Sequence, residues 1–164
     1  MHWGYRVRPK DHTSSTQGRW RYEVHARSKA SPVVLWGLVG EAARWKEWSF
    51  MTRSFLLREG APSPDGVGAL RRLAVGPFGS REEVVEWESP DHLGYVARRG
   101  LPVRWYRADI RLSADGDGTA ITWTGSLEPL IPGTGALVLA FTRNVVRLFA
   151  KELVRFADEL QTQQ

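Results

Sequence analysis

The sequence predicts a two-layer α+β fold in which a curved antiparallel sheet of about six to seven strands wraps one long C-terminal helix. Three observations carry this. Residues 135–160 contain no proline and no glycine after Gly135, and their apolar residues fall on one arc at helical spacing. Between Phe55 and Leu127, turn signals recur at short intervals with no helical period between them, which is the mark of an antiparallel meander. The chain has 164 residues, 42% of them apolar, and no cysteine, so one core can form without staples.

The elements follow in order. Residues 1–19 read as a polar, basic arm, and residues 20–162 as one domain. Trp3, Tyr5 and Val7 alternate with Gly4, Arg6 and Arg8, which leaves room for a short edge strand in the arm. Trp20, Tyr22, Val24 and Ala26 alternate with Arg21, Glu23, His25 and Arg27, as in a half-buried strand. Ser31-Pro32 is an N-cap followed by proline at the first helical position, opening a helix to about Gly40. A second short helix, about Glu41 to Trp48, carries Trp45 and Trp48 on one face. Strands then span Phe55–Glu59, Gly68–Val75, Arg81–Glu88, Leu93–Arg98, Val103–Ser113 and Thr119–Leu127. Asp115-Gly116-Asp117-Gly118 is a hairpin signal. Thr134 is placed to cap the last helix. Its apolar arc holds Leu137, Val138, Phe141, Val145, Leu148, Phe149, Phe156 and Leu160, with Arg143, Arg147, Lys151 and Asp158 opposite.

Composition excludes several classes. Without cysteine there is no disulfide, thiolate nucleophile or cysteine-held metal. No two histidines have ligand spacing, and no cofactor is expected. No apolar run is long enough to span a bilayer, and no signal segment is visible, so a cytoplasmic location is expected. The net charge of +5 permits contact with nucleic acid or an anionic membrane. The ladder Arg143, Arg147, Lys151, Arg155 reads as a solvated helix face, and no recognition motif accompanies it, so nucleic acid is not an expected partner. Eight Trp, six Phe and four Tyr point to a thick core or an aromatic-lined pocket.

In this order of elements the chain resembles the helix-grip, START-like (SRPBCC) superfamily, in its bacterial branch of polyketide cyclases, dehydrases and lipid carriers. The resemblance rests on Arg81–Pro90, on Gly118–Gly125, and on Pro129 with Pro132-Gly133-Thr134-Gly135 before the last helix. It covers about residues 20–160. It implies a cavity between the long helix and the concave sheet. These motifs specify fold better than activity, because the superfamily hosts carriers, receptors and enzymes.

Strand parity places Val85, Trp87, Tyr106, Ile110, Ile121 and Trp123 inward, and the helix adds Phe141, Val145 and Leu148. The resemblance puts Trp48 at the rim of the pocket. Asn144 lies beside the apolar arc and bonds either a ligand or a backbone carbonyl. Glu152 is either a buried carboxylate in need of a partner or an exposed margin where the arc drifts. Adjacent strand residues point to opposite faces, so one of Arg71 and Arg72, and one of Glu82 and Glu83, faces the concave side if both strands are regular. Such a pair would orient a polar ligand group; with a bulge or a solvated strand end it would not. Tyr95, Tyr106, Glu152 or an inward arginine could serve as acid or base, and the sequence singles out none.

The expected function is binding or transport of a small hydrophobic or amphipathic molecule, lipid- or polyketide-like, by a monomer or homodimer, with transient membrane-surface contact allowed. The alternatives are a polyketide cyclase or dehydratase, and a ligand-free interaction or toxin-like regulatory protein that uses its basic surface.

Overall fold

The computed structural model describes residues 18–163. The edge strand suggested for the arm lies outside them.

Strand β1 (Trp20–Ser28) leads into helix α1 (Pro32–Gly40), a 3-10 turn (Ala42–Arg44) and the short helix α2 (Trp45–Trp48). Six strands follow: β2 (Arg53–Arg58), β3 (Leu70–Val75), β4 (Phe78–Glu88), β5 (His92–Arg99), β6 (Val103–Asp115) and β7 (Gly118–Pro129). Helix α3 (Gly135–Thr162) closes the fold. Among the described residues, seven strands form one antiparallel sheet in the order β1-β7-β6-β5-β4-β3-β2, with β1 and β2 at its two ends. This is the α+β helix-grip arrangement the sequence predicts.

Local chemistry explains the boundaries. The Ser31 hydroxyl accepts from Val34 N at 3.4 Å, and Pro32 fills a position whose N–H would have no helical partner. The last carbonyls of α1 lack helical partners, and α2 supplies them: Trp45 Nε1 donates to Val39 O and Trp48 Nε1 to Leu38 O, each at 2.9 Å. The two indoles three residues apart thus lock α2 onto α1. Thr134 does not cap α3 through its side chain; its hydroxyl donates back to Ile131 O at 2.7 Å and tightens the entry loop instead.

Tyr106, Ala108, Ile110 and Leu112 of β6 are buried on the concave face, as alternation requires. Two departures come from geometry that alternation does not encode. Strand β4 carries a bulge: Val84 pairs with Tyr95 and Glu86 with Gly94, which leaves Val85 as the extra residue. The inward set is therefore Ser80, Glu82 and Val84 before the bulge, and Val85 stands unpaired and half-buried. Helix α3 is rotated from the predicted arc. Its buried line runs through Val146, Phe149, Ala150, Leu153 and Ala157, while Leu137, Phe141 and Leu148 are exposed. Small side chains at Ala150 and Ala157 let the helix approach the sheet closely, and that outweighs the larger residues. Asp158 is not on a solvated face: it accepts from Ser28 Oγ at 2.6 Å and from Lys29 N at 2.8 Å, tying α3 to the end of β1.

Candidate ligand cavity

The rotated helix leaves a space that the sheet does not fill. A cavity of about 560 Å³ lies between the first half of α3 and strands β3–β6. Its walls are mostly apolar: Leu73, Val103, Val138, Val145, Val146 and Phe149, with Met51 and Trp45 from the α2 side. Ser80, Glu82, Tyr95 and Tyr106 add polar atoms to the buried wall, and Thr142 adds a hydroxyl from α3. Val75, Phe78, Leu101, Pro102, Leu137 and Phe141 surround the opening.

The polar wall is a connected cluster. Arg71 and Glu82 are direct partners across β3 and β4, so both point inward while Arg72 and Glu83 take the other face. Arg71 is fully buried, and its Nη2 donates to Glu82 Oε2 at 3.1 Å. Ser80 Oγ donates to the other carboxylate oxygen at 2.9 Å. Arg71 Nη1 reaches Val39 O at 3.4 Å, and the guanidinium lies 5.2 Å from the Trp45 ring and 4.9 Å from the Tyr95 ring. Its Nε is buried with no hydrogen-bond partner among the described residues.

The tyrosines form the second half of the cluster. Tyr22 and Tyr106 share a hydroxyl–hydroxyl bond of 2.6 Å. Tyr22 reaches there only because residue 125 is glycine; a Cβ at that position would collide with its ring. Tyr95 accepts from Trp123 Nε1 at 3.1 Å, and its own proton has no acceptor among the described residues. Burial pushes all three phenols well above the ordinary tyrosine range, with the Glu82 carboxylate adding to the push. At neutral pH they are hydrogen-bond donors rather than bases.

Of the residues singled out in the sequence, Tyr95, Tyr106, Phe141 and Val145 line this cavity. Trp123 stands one layer behind, stacked on Phe149 with ring centroids 6.0 Å apart and holding Tyr95. Ile110 and Ile121 are fully packed core. Trp48 is buried behind Trp45 and Phe149 rather than at a rim. Trp87 packs edge-on against Trp36 at 4.8 Å, beside α1. Leu148 and Asn144 are exposed, and Asn144 Oδ1 sits 3.5 Å from Arg147 Nη1. Glu152 pairs with Arg155 at 2.6 Å on the helix surface. Trp45, Ser80 and Phe149 were not singled out as pocket residues. Ser80 was legible by parity from Glu82, whereas Trp45 and Phe149 depend on the rotation of the two helices.

The opposite face of the sheet holds a second ionic cluster. Asp109 accepts from Arg107 Nε at 2.9 Å and Nη2 at 2.8 Å, and lies 2.7 Å from His92 Nε2. His92 is a buried residue at the start of β5. Burial works to raise the Asp109 pKa, but the bonds from Arg107 and His92 prevail and hold it below the ordinary carboxylate range. Among the described residues, no group of three or more His, Cys, Asp or Glu is placed to hold a metal ion, and no helix is long and apolar enough to cross a membrane.

Residues 19–161 match the model of the family described as polyketide cyclase / dehydrase and lipid transport. No curated protein matches the sequence. Solved structures show the same fold at low identity. A START superfamily protein from Mycobacterium smegmatis superposes with a TM-score of 0.75 at 14% identity, covering 86% of this chain and 99% of that one. The protein XoxI from Bacillus cereus gives 0.71 at 15% identity, over 87% and 98%. A Thermobifida fusca protein gives 0.69 at 21% identity, over 85% and 94%.

Proposed function

The chain belongs to the polyketide cyclase / dehydrase and lipid transport family, and from that premise we propose that it binds one small amphipathic molecule in the cavity beside α3. The observation that carries this reading is a largely apolar space of about 560 Å³ with its polar atoms gathered on one buried wall. The apolar body of the ligand would lie against Leu73, Val103, Val138 and Val145. Each methylene removed from water there contributes about 0.8 kcal/mol.

The polar wall selects the head group. Tyr95 offers a proton, and Glu82 offers lone pairs beyond the bonds it already accepts. A hydroxyl satisfies both groups, accepting from Tyr95 and donating to Glu82, whereas a carbonyl accepts from Tyr95 alone. A ligand carboxylate would instead meet the Glu82 carboxylate in a space largely free of water, where like charges repel strongly. The ligand is therefore a neutral-headed amphiphile.

Trp45 lines the cavity, so its fluorescence reports occupancy. Titration with lauryl alcohol and with laurate tests the reading. The alcohol is expected to bind at least about tenfold more tightly, since a buried unpaired charge costs several kcal/mol. Equal affinity would remove the head-group assignment, and no response to either would remove the binding reading.

A second reading, cyclisation or dehydration of a polyketide-like substrate, draws on the same cluster. Tyr95 would be the proton donor, since its hydroxyl hydrogen has no acceptor among the described residues. Turnover of a polyketide-like substrate separates the two readings: an enzyme shows it in the wild type and loses it in Tyr95→Phe while still binding, and a binding protein shows none in either.

A further inference from the structure

The opening of the cavity is built unlike the rest of the surface. Three segments converge on it: residues 75–81 at the β3–β4 turn, 98–104 at the β5–β6 turn, and 129–143 from the end of β7 into α3. They are joined to one another. Leu130 N donates to Pro102 O at 3.0 Å, and Arg104 Nε reaches Leu130 O at 3.4 Å. Gly100, at φ +93°, passes so close to the Gly79 carbonyl that a side chain there would collide with it.

These segments expose large apolar side chains that fill no protein interior. Phe78 is 79% exposed, Leu137 73%, Phe141 69% and Ile131 63%. Single exposed apolar residues are ordinary, but a cluster around one opening marks a contact surface. The same three segments contain five arginines and no aspartate or glutamate. Arg81 and Arg99 stand directly opposite each other across β4 and β5, both exposed. Like charges in that position repel. Among the described residues, neither they nor Arg104 has a carboxylate within ion-pair distance; of the four arginines that lie on strands, Arg98 alone is paired, to Glu83 at 2.7 Å.

We propose that this end of the molecule docks on an anionic lipid bilayer, with Phe78, Ile131, Leu137 and Phe141 entering the headgroup boundary and Arg81, Arg99 and Arg104 meeting lipid phosphates. The proposal deepens the binding reading above and rests on it: the docked opening lets an amphiphile pass between bilayer and cavity without crossing water. Apolar tips carried on two separate segments, Phe78 on one and Ile131, Leu137 and Phe141 on the other, suit a fluid apolar phase, which needs no matched shape. The unpaired arginines supply charge complementarity to anionic headgroups.

Cosedimentation with vesicles tests it, using phosphatidylcholine alone and phosphatidylcholine mixed with phosphatidylglycerol. The wild type is expected to bind the mixed vesicles, more weakly as salt is raised. Arg81→Glu with Arg99→Glu is expected to weaken that binding at least about tenfold, since each reversal turns attraction to anionic headgroups into repulsion. Leu130→Ser with Ile131→Ser is expected to weaken it also. None of these four residues lines the cavity, so both variants should titrate with lauryl alcohol in solution as the wild type does, which also shows that they fold. Wild-type protein that ignores mixed vesicles, or variants that bind them undiminished, would overturn the proposal. If the wild type ignores vesicles yet binds an acidic protein through the same arginines, the surface belongs to a protein partner and the bilayer assignment is wrong. If vesicle binding holds while solution titration shows no ligand, the cavity reading fails and the docking surface stands.

Discussion

The two faces of the sheet each carry an arginine bound to a carboxylate, and they are finished differently. On the outer face, Arg107 meets Asp109 with a two-pronged fork, and His92 approaches the same carboxylate. On the inner face, Arg71 makes one bond to Glu82 and a long one to Val39 O, and its buried Nε has no partner among the described residues. A fork between side chains is how a protein settles a charge pair for good. An under-satisfied cluster on a cavity wall keeps capacity for something else. The comparison teaches that the same residue types serve as a rivet on one side of a sheet and as a recognition wall on the other, according to what faces them.

The comparison can be broken most sharply by removing the carboxylates. Glu82→Ala leaves a guanidinium buried without a counter-charge and should cost about 3–5 kcal/mol in urea unfolding. Asp109→Ala should cost less, about 1–3 kcal/mol, because Arg107 retains Glu86 at 3.6 Å. Equal losses would mean that the inner pair is no more exposed to the missing partner than the outer one. Replacing both inner charges, Arg71→Met with Glu82→Leu, should recover much of the stability while lowering affinity for lauryl alcohol, which separates the structural role from the binding role.

The two clusters should also fail at opposite ends of the pH scale. The buried phenols have raised pKa values, so their contribution is fully present below the ordinary tyrosine value of about 10. Above it, the unfolded chain releases phenolic protons that the folded chain holds, and stability falls with rising pH. Asp109 has a lowered pKa, so its contribution is present above the ordinary carboxylate value and is lost as pH drops through the folded one. Melting temperature against pH should show the acid arm shrinking in Asp109→Asn and the alkaline arm shrinking in Tyr95→Phe. The reverse assignment would contradict the description of both clusters.

A smaller effect is expected one layer behind the cavity. Trp123→Phe keeps the ring against Phe149 but removes the donor to Tyr95, at about 1 kcal/mol of stability. Smallest of all should be Asn144→Ala and Glu152→Ala, within about 0.5 kcal/mol in stability and without change in ligand affinity, since both residues are occupied by arginines on the helix surface.

The sheet and the long helix were legible because turns and periods are local. Ser31-Pro32, Asp115–Gly118 and the unbroken run after Gly135 mark their boundaries without reference to the rest of the chain. The cavity wall was less so. Parity said that one of Arg71 and Arg72 and one of Glu82 and Glu83 must turn inward, but only the pairing of Arg71 with Glu82 decides which. Val85 was assigned inward by counting in twos through a stretch where a bulge adds a residue. Phe141 and Leu148 share an apolar arc with Phe149, yet only Phe149 is buried, because the alanines and not the largest side chains set the helix rotation. These misses share a cause: each depends on contact between segments distant in sequence.

Native mass spectrometry of gently purified protein, with denaturing release and identification of whatever it holds, decides whether the cavity beside α3 is a binding site. One stoichiometric amphiphile with a neutral polar head is expected, absent from a Val103→Trp variant whose side chain fills the cavity. No added mass on the wild type, even after incubation with lauryl alcohol, or the same added mass on the filled variant, would contradict it.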